Sequence, residues 1–222
     1  MSAGPAATSP RYVDVACIGD PGAGKTSFFW RFVHGTFNHV ASSIIGIEFG
    51  MKRIDELDVT VRLWDNMSAG DRFRPDYSYL YRKKNVLLLF ADPERRDAVD
   101  NISCWMRCAQ DYYVDRPDVL WAVVWTKSDI RSPSLVANLE EEFTNTVALD
   151  KALARRAKQL LFFNTSSKHG TGIDECIREV VAYAACGANR VTGATKLPSL
   201  TEVVPTKKGS ACGEWRWYCA CS

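Results

Sequence analysis

Apolar residues fall along this chain in two rhythms, and the rhythms take turns. Short apolar runs at 12–18, 46–55, 58–64, 86–91, 119–125 and 160–164 predict strands. Between them, segments at 25–34, 75–82, 95–113, 139–159 and 172–185 carry apolar residues three and four apart and predict helices. The runs at 86–91 and 119–125 are almost unbroken, as central parallel strands covered on both faces require. The segment 58–64 instead alternates apolar and polar, and a tight polar connection joins it to 46–55. That pair predicts a hairpin, and so one antiparallel edge on an otherwise parallel sheet. Glutamates 140, 141 and 142 and arginines 155 and 156 fall at opposite ends of the 139–159 helix, where they complement its dipole. Residues 1–10 and 187–222 carry neither rhythm and read as disordered flanks of one domain over 11–186. No internal repeat is evident.

Composition narrows the class. A length of 222 residues suits one domain with tails, and 46% hydrophobic with 24% charged residues matches a soluble globular protein. A net charge of +2 argues against a dedicated nucleic-acid binder. No run approaches the ~18 apolar residues of a membrane span, and the N-terminus has no signal-peptide pattern. Ser2 stands where N-myristoylation needs glycine. Most of the first five of eight cysteines lie in expected strands or helices, which favours a reducing compartment over disulfides. Cys104 and Cys108 have no second pair at zinc spacing and read as helix packing. His34, His39 and His169 are scattered and solvated, and Trp105, Trp121 and Trp125 read as core.

Chemistry enters at Gly19-Asp20-Pro21-Gly22-Ala23-Gly24-Lys25-Thr26, which fits G-x-x-x-x-G-K-[ST] between a strand and an amphipathic helix. Its glycines let backbone N–H groups turn inward around a phosphate. Lys25 reaches the outer phosphates, Thr26 offers a hydroxyl to Mg²⁺, and the helix adds its positive end beneath the anion. The expected phosphate set is Asp20, Gly22, Ala23, Gly24, Lys25, Thr26 and Ser27. Pro21 lacks an N–H and removes one possible donor.

Further motifs fall at strand ends, where open α/β sheets bind ligands. Asp65 ends one strand and can hold Mg²⁺ through water. Thr126-Lys127-Ser128-Asp129 ends another, and Thr165-Ser166-Ser167-Lys168 ends the last. A carboxylate at Asp129 can accept from the N1–H and N2–H₂ edge of guanine, a donor pair that adenine lacks. Lys127 can lay its stem along the base plane. The expected ligand is therefore GTP or GDP, and an adenine-nucleotide ATPase conflicts with Asp129.

Together these motifs resemble the Ras superfamily of small GTPases, closest to the Rab branch, over roughly 11–186. The resemblance implies the G-domain form of the P-loop α/β fold: a six-stranded mostly parallel sheet with one antiparallel edge strand and five helices. It puts Phe37 edge-on against guanine and adds Thr126, Lys127, Asp129, Ser166, Ser167 and Lys168 to the base site. Ile45-Gly46-Ile47-Glu48-Phe49 resembles the effector segment, and Leu63-Trp64-Asp65, Arg72-Phe73-Arg74 and Tyr81-Arg82 resemble the second switch. Partners implied are effectors and exchange factors at the switch surfaces.

The departures from that pattern concern hydrolysis. The first-switch threonine position falls on Ile44, which has no oxygen to give; the neighbouring Ser43 can substitute only if the loop slides by one residue. The second switch reads Asp65-Asn66-Met67-Ser68-Ala69-Gly70-Asp71, so Ser68 or Ala69 replaces the sensing glycine. Ala69 or Gly70 stands where a glutamine should orient the attacking water. Phosphoryl transfer relies on the protein mainly for positioning and charge stabilisation, so slow GTP hydrolysis is expected. A pseudo-GTPase, an interaction module that never cycles, is the alternative. Thr126 replaces the usual Asn mildly, and the stretch between Asp129 and Ser166 is longer than its Rab counterpart. The ending Cys219-Ala220-Cys221-Ser222 resembles doubly prenylated Rab tails and also fits a single-prenyl box on Cys219. It implies a peripheral protein on the cytosolic face of an endomembrane, acting in vesicle traffic.

Overall fold

The computed structural model describes residues 11–38, 46–67, 82–113, 118–151, 153–154 and 160–186. Six strands form one sheet: β1 (Arg11–Gly19), β2 (Gly46–Ile54), β3 (Val59–Met67), β4 (Val86–Ala91), β5 (Leu120–Trp125) and β6 (Leu161–Asn164), in the order β2-β3-β1-β4-β5-β6. β2 runs antiparallel to β3, and every other pairing is parallel. The expected fold class is what the chain adopts.

Four α-helices cover the sheet among the described residues: α1 (Lys25–His34), α2 (Ala98–Gln110), α3 (Pro133–Leu149) and α4 (Ile173–Cys186). The fifth expected helix, 75–82, lies almost wholly outside the described residues, as do both chain ends. Two cores explain the unbroken apolar strands. Alternate residues of the central strands, such as Ile18, Leu89, Val123 and Trp125, join α2 and α3 through Met106 and Phe143. Their neighbours Cys17, Leu88, Phe90 and Val124 join α1 and α4 through Phe28, Phe32, Ile177 and Val181. Both faces of β4 and β5 are buried along their whole length, and β1 is buried from Val13 onward, its one polar member there, Asp14, accepting from Trp64 Nε1 at 3.0 Å and pairing with Arg62.

The third helix differs from expectation at both ends. It begins at Pro133 because Ser132 is a side-chain cap, its Oγ accepting from the Leu135 N–H at 3.3 Å, and Pro133 needs no donor in the first turn. It stops at Leu149, with Asp150 in extended conformation. Glutamates 140–142 therefore sit mid-helix and do not complement the dipole at its start; residues 155 and 156 lie outside the described set. Cys104 is exposed on α2, so its expected packing role is corrected.

Candidate functional site at the C-terminal edge of the sheet

The loop from Gly19 to Thr26 leaves β1 and winds back into α1. Gly19 has φ +142°, and a Cβ there would lie 2.4 Å from the Phe90 carbonyl oxygen. Gly24, the left-handed cap of α1 with φ +90°, lies so close to Thr126 that a Cβ would meet Cγ2 at 3.1 Å. Both positions demand glycine, one by close approach and both by conformation. Ala23 closes the turn by donating to the Asp20 carbonyl at 3.2 Å. Gly22, with φ +78°, meets nothing within 4 Å, so the mouth of the loop is open at that point. Ser27 follows Thr26 in the first turn of α1. The Lys25 ammonium folds back over the loop, donating to the carbonyls of Gly19 at 2.8 Å and Asp20 at 2.7 Å. Burial lowers its pKa, opposed by the nearby Asp65 carboxylate.

Asp65 lies at the end of β3, level with Cys17 of β1. It is fully buried, yet neither carboxylate oxygen has a hydrogen-bond partner of full geometry. Burial pushes its pKa up to about 6, while the neighbouring Thr26 hydroxyl and Lys25 ammonium pull the other way. An orphaned, acceptor-only carboxylate is costly in isolation. Beside a hydroxyl and the mouth of an anion cradle, it suits a hard divalent cation that takes its other ligands from phosphate and water. The residues present thus fit Mg²⁺. No group of three or more His, Cys, Asp or Glu side chains converges on a metal site among the described residues.

Thr126, Lys127 and Asp129 follow β5. Thr126 is buried, its N–H and Oγ1 both donating to the Ala91 carbonyl at 2.9 and 3.1 Å, and its methyl packs on Gly24. The hydroxyl bonds the end of β4, and only the side chain's packing reaches the 19–26 loop. Asp129 is exposed, and Ser166 Oγ donates to its Oδ1 at 2.6 Å. That bond holds its carboxyl below the usual carboxylate range. The Lys127 ammonium makes an ion pair of 2.5 Å with Asp92, a buried carboxylate at the end of β4. Arg131 bridges Asp92 and Glu94.

Three features escaped sequence reasoning. Asp92 anchors Lys127 from 35 residues away. Asp20 accepts from Trp105 Nε1 at 2.8 Å and Asn101 Nδ2 at 2.6 Å, tying the glycine loop to α2. Trp105 is therefore a loop anchor as well as packing, which corrects its assignment to the core alone; Trp121 and Trp125 are fully buried as expected. Arg31 of α1 reaches the segment after β6, and its guanidinium carbon lies 5.9 Å from the centre of the Phe37 ring. The bonds Asp92–Lys127, Asp20–Asn101, Asp20–Trp105 and Arg31–Ser167 have no local sequence signal, because each joins residues remote along the chain.

On edge strand β2, Ile47, Phe49 and Met51 point the same way and are exposed among the described residues, with Phe49 against Trp64 at 4.5 Å. Ser43, Ile44, Ser68, Ala69, Gly70, Arg72, Phe73, Arg74, Cys219 and Cys221 lie outside the described residues. No described helix is long and apolar enough to cross a membrane.

A glycine cradle after β1, a carboxylate near the end of β3 and a second carboxylate after β5, on one edge of this sheet, define a P-loop G-domain. A profile of the Ras family matches residues 14–185. The chain is 30% identical over 203 residues to the Ras-related protein Rab11D of Lotus japonicus, covering 87% of each. It is 29% identical over 215 residues to YPT3 of Nicotiana plumbaginifolia, covering 92% of this chain and 91% of the relative. Against Rab-1D of Dictyostelium discoideum identity is 24% over 212 residues, covering 94% and 96%. The chain belongs to the Ras family of small GTPases, close to the Rab branch.

Proposed function

We propose that this chain is a guanine-nucleotide switch of the Rab type that hydrolyses GTP slowly. Asp20, Gly22, Ala23, Gly24, Lys25, Thr26 and Ser27 cradle the phosphates, and Thr26 with Asp65 holds Mg²⁺, which when bound neutralises charge on the phosphate oxygens. Phe37, Thr126, Lys127, Asp129, Ser166, Ser167 and Lys168 hold the guanine. The observation that carries this reading is the exposed Asp129 carboxylate, held by the Ser166 hydroxyl at 2.6 Å on the same sheet edge as the glycine cradle. A competition titration of fluorescent GDP against unlabelled GTP and ATP tests it. Displacement by GTP at concentrations at least a hundredfold below ATP is expected, and equal potency of the two overturns the guanine assignment.

Slow hydrolysis follows from Ile44 and from Ala69 and Gly70, which supply neither a switch oxygen nor an amide to place water. Single-turnover hydrolysis of radiolabelled GTP should run below that of an ordinary Rab protein. The same losses favour a second reading, a pseudo-GTPase that holds one partner regardless of nucleotide. Equal partner affinity in the GTP and GDP forms would select it, because equal affinity shifts no equilibrium. The exposed β2 stripe supports a protein partner for either reading. Membrane association in vesicle traffic rests on prenyl groups at Cys219, Cys221 or both, and mass spectrometry of protein from its native cells counts them.

A further inference from the structure

Arg31 does not form an ion pair with any described carboxylate. Its guanidinium is spent on main-chain oxygens: Nε donates to Ser167 O at 2.7 Å, Nη2 to Lys168 O at 2.7 Å and Nη1 to Gly35 O at 2.9 Å. A planar fork with donors on three nitrogens can serve three carbonyls at once, which a lysine ammonium on a flexible stem cannot reproduce. The grip has a consequence one peptide further on. A trans peptide is planar, so fixing the Lys168 carbonyl also fixes the His169 N–H on the opposite side of the same plane. That N–H donates to Ser166 Oγ at 3.3 Å, and Ser166 Oγ donates to Asp129 Oδ1 at 2.6 Å. A continuous path of bonds therefore runs from α1 to the carboxylate that selects the base. At its other end, Gly35 caps α1 two residues before Phe37.

We infer that Arg31 is a positioning residue for guanine selection, aiming Asp129 through the 168–169 peptide and Ser166. The inference rests on the guanine reading proposed above. A base contact aimed from behind loses discrimination when its support is removed, whereas a brace that only stabilises the fold weakens all nucleotides in proportion.

The test compares GDP with inosine diphosphate, which lacks the 2-amino donor facing Asp129. Affinities of both are measured by titration for the full chain and for Arg31→Ala, Arg31→Lys, Ser166→Ala and the Arg31→Ala/Ser166→Ala pair. Arg31→Ala and Ser166→Ala should each cut the GDP-over-inosine preference about tenfold, the scale of one hydrogen bond to a charged group. Arg31→Lys should fall between wild type and Arg31→Ala. The double variant should lose no more preference than Ser166→Ala alone, as members of one path must. Proportional weakening of both nucleotides by Arg31→Ala and Arg31→Lys overturns the inference, as does additive loss in the double variant. Should Arg31→Ala fail to fold, Arg31→Lys decides by the same ratio. A wild-type chain without preference for GDP overturns the guanine reading itself, and this inference with it.

Discussion

Two carboxylates show how environment divides roles among like residues. Asp129 is exposed, and the Ser166 hydroxyl that donates to it lowers its pKa further. Asp129→Asn would replace one acceptor oxygen by a donor facing the guanine donors. GDP affinity should fall at least about a hundredfold, because a polar contact built for one partner is left unpaired; isothermal titration measures it. Glu140 takes the opposite course. Burial on α3 raises its pKa, against the lowering effect of the Trp125 indole N–H. A native pKa above the unfolded value means the favourable contribution is complete at pH below about 4.3 and lost as pH rises through the native value. Glu140→Gln, which keeps an acceptor without the charge, should therefore raise the melting temperature at pH 7.5 by up to about 2 °C. The gain should vanish near pH 4 in a calorimetric series; a constant gain across that range contradicts the assignment.

Among the elements, α2 does more than cover the sheet, since both oxygens of Asp20 are engaged by its Asn101 and Trp105 side chains. Trp105→Phe keeps an aromatic ring and removes the N–H. GDP should then dissociate several-fold faster, while the loss of one bond to a charged group costs about 1.5–3 kcal/mol of stability. Stopped-flow release of fluorescent GDP reads the first effect and urea unfolding the second. Ser132→Ala removes the cap of α3 and should cost about 1 kcal/mol in the same unfolding assay. These elements also mark where the sequence was legible. The central strands could be read because a two-faced core forces unbroken apolar runs, the edge hairpin because β3 alternates apolar and polar, and the glycine loop because its backbone geometry admits few residues. The start of α3 was legible too, in the Ser132-Pro133 cap and the apolar spacing Val136, Leu139, Phe143 and Val147 that follows it, but the expected helix began at Leu139 and passed over that cap. Asp65 and Asp129 were found from motif position, whereas Arg31 and Asp92 act across sequence gaps that no local pattern encodes.

For the molecule as a whole, nucleotide and fold are linked. A ligand that binds only the native state at a hundred times its Kd stabilises it by about 2.7 kcal/mol. GDP with Mg²⁺ should therefore raise the melting temperature by several degrees, and EDTA should remove part of that rise if Asp65 holds the cation; a rise unaffected by chelation counts against Asp65. The strand order carries a different consequence. β1 is the first strand made, yet it sits between β3 and β4, aligned with Val59 on one side and Val86 on the other. On the ribosome this apolar ribbon emerges with both edges bare and waits for partners still unsynthesised, a window in which chaperones have most to guard. Mechanical force applied at its start meets the reverse situation, since pulling β1 free must shear two parallel ladders at once.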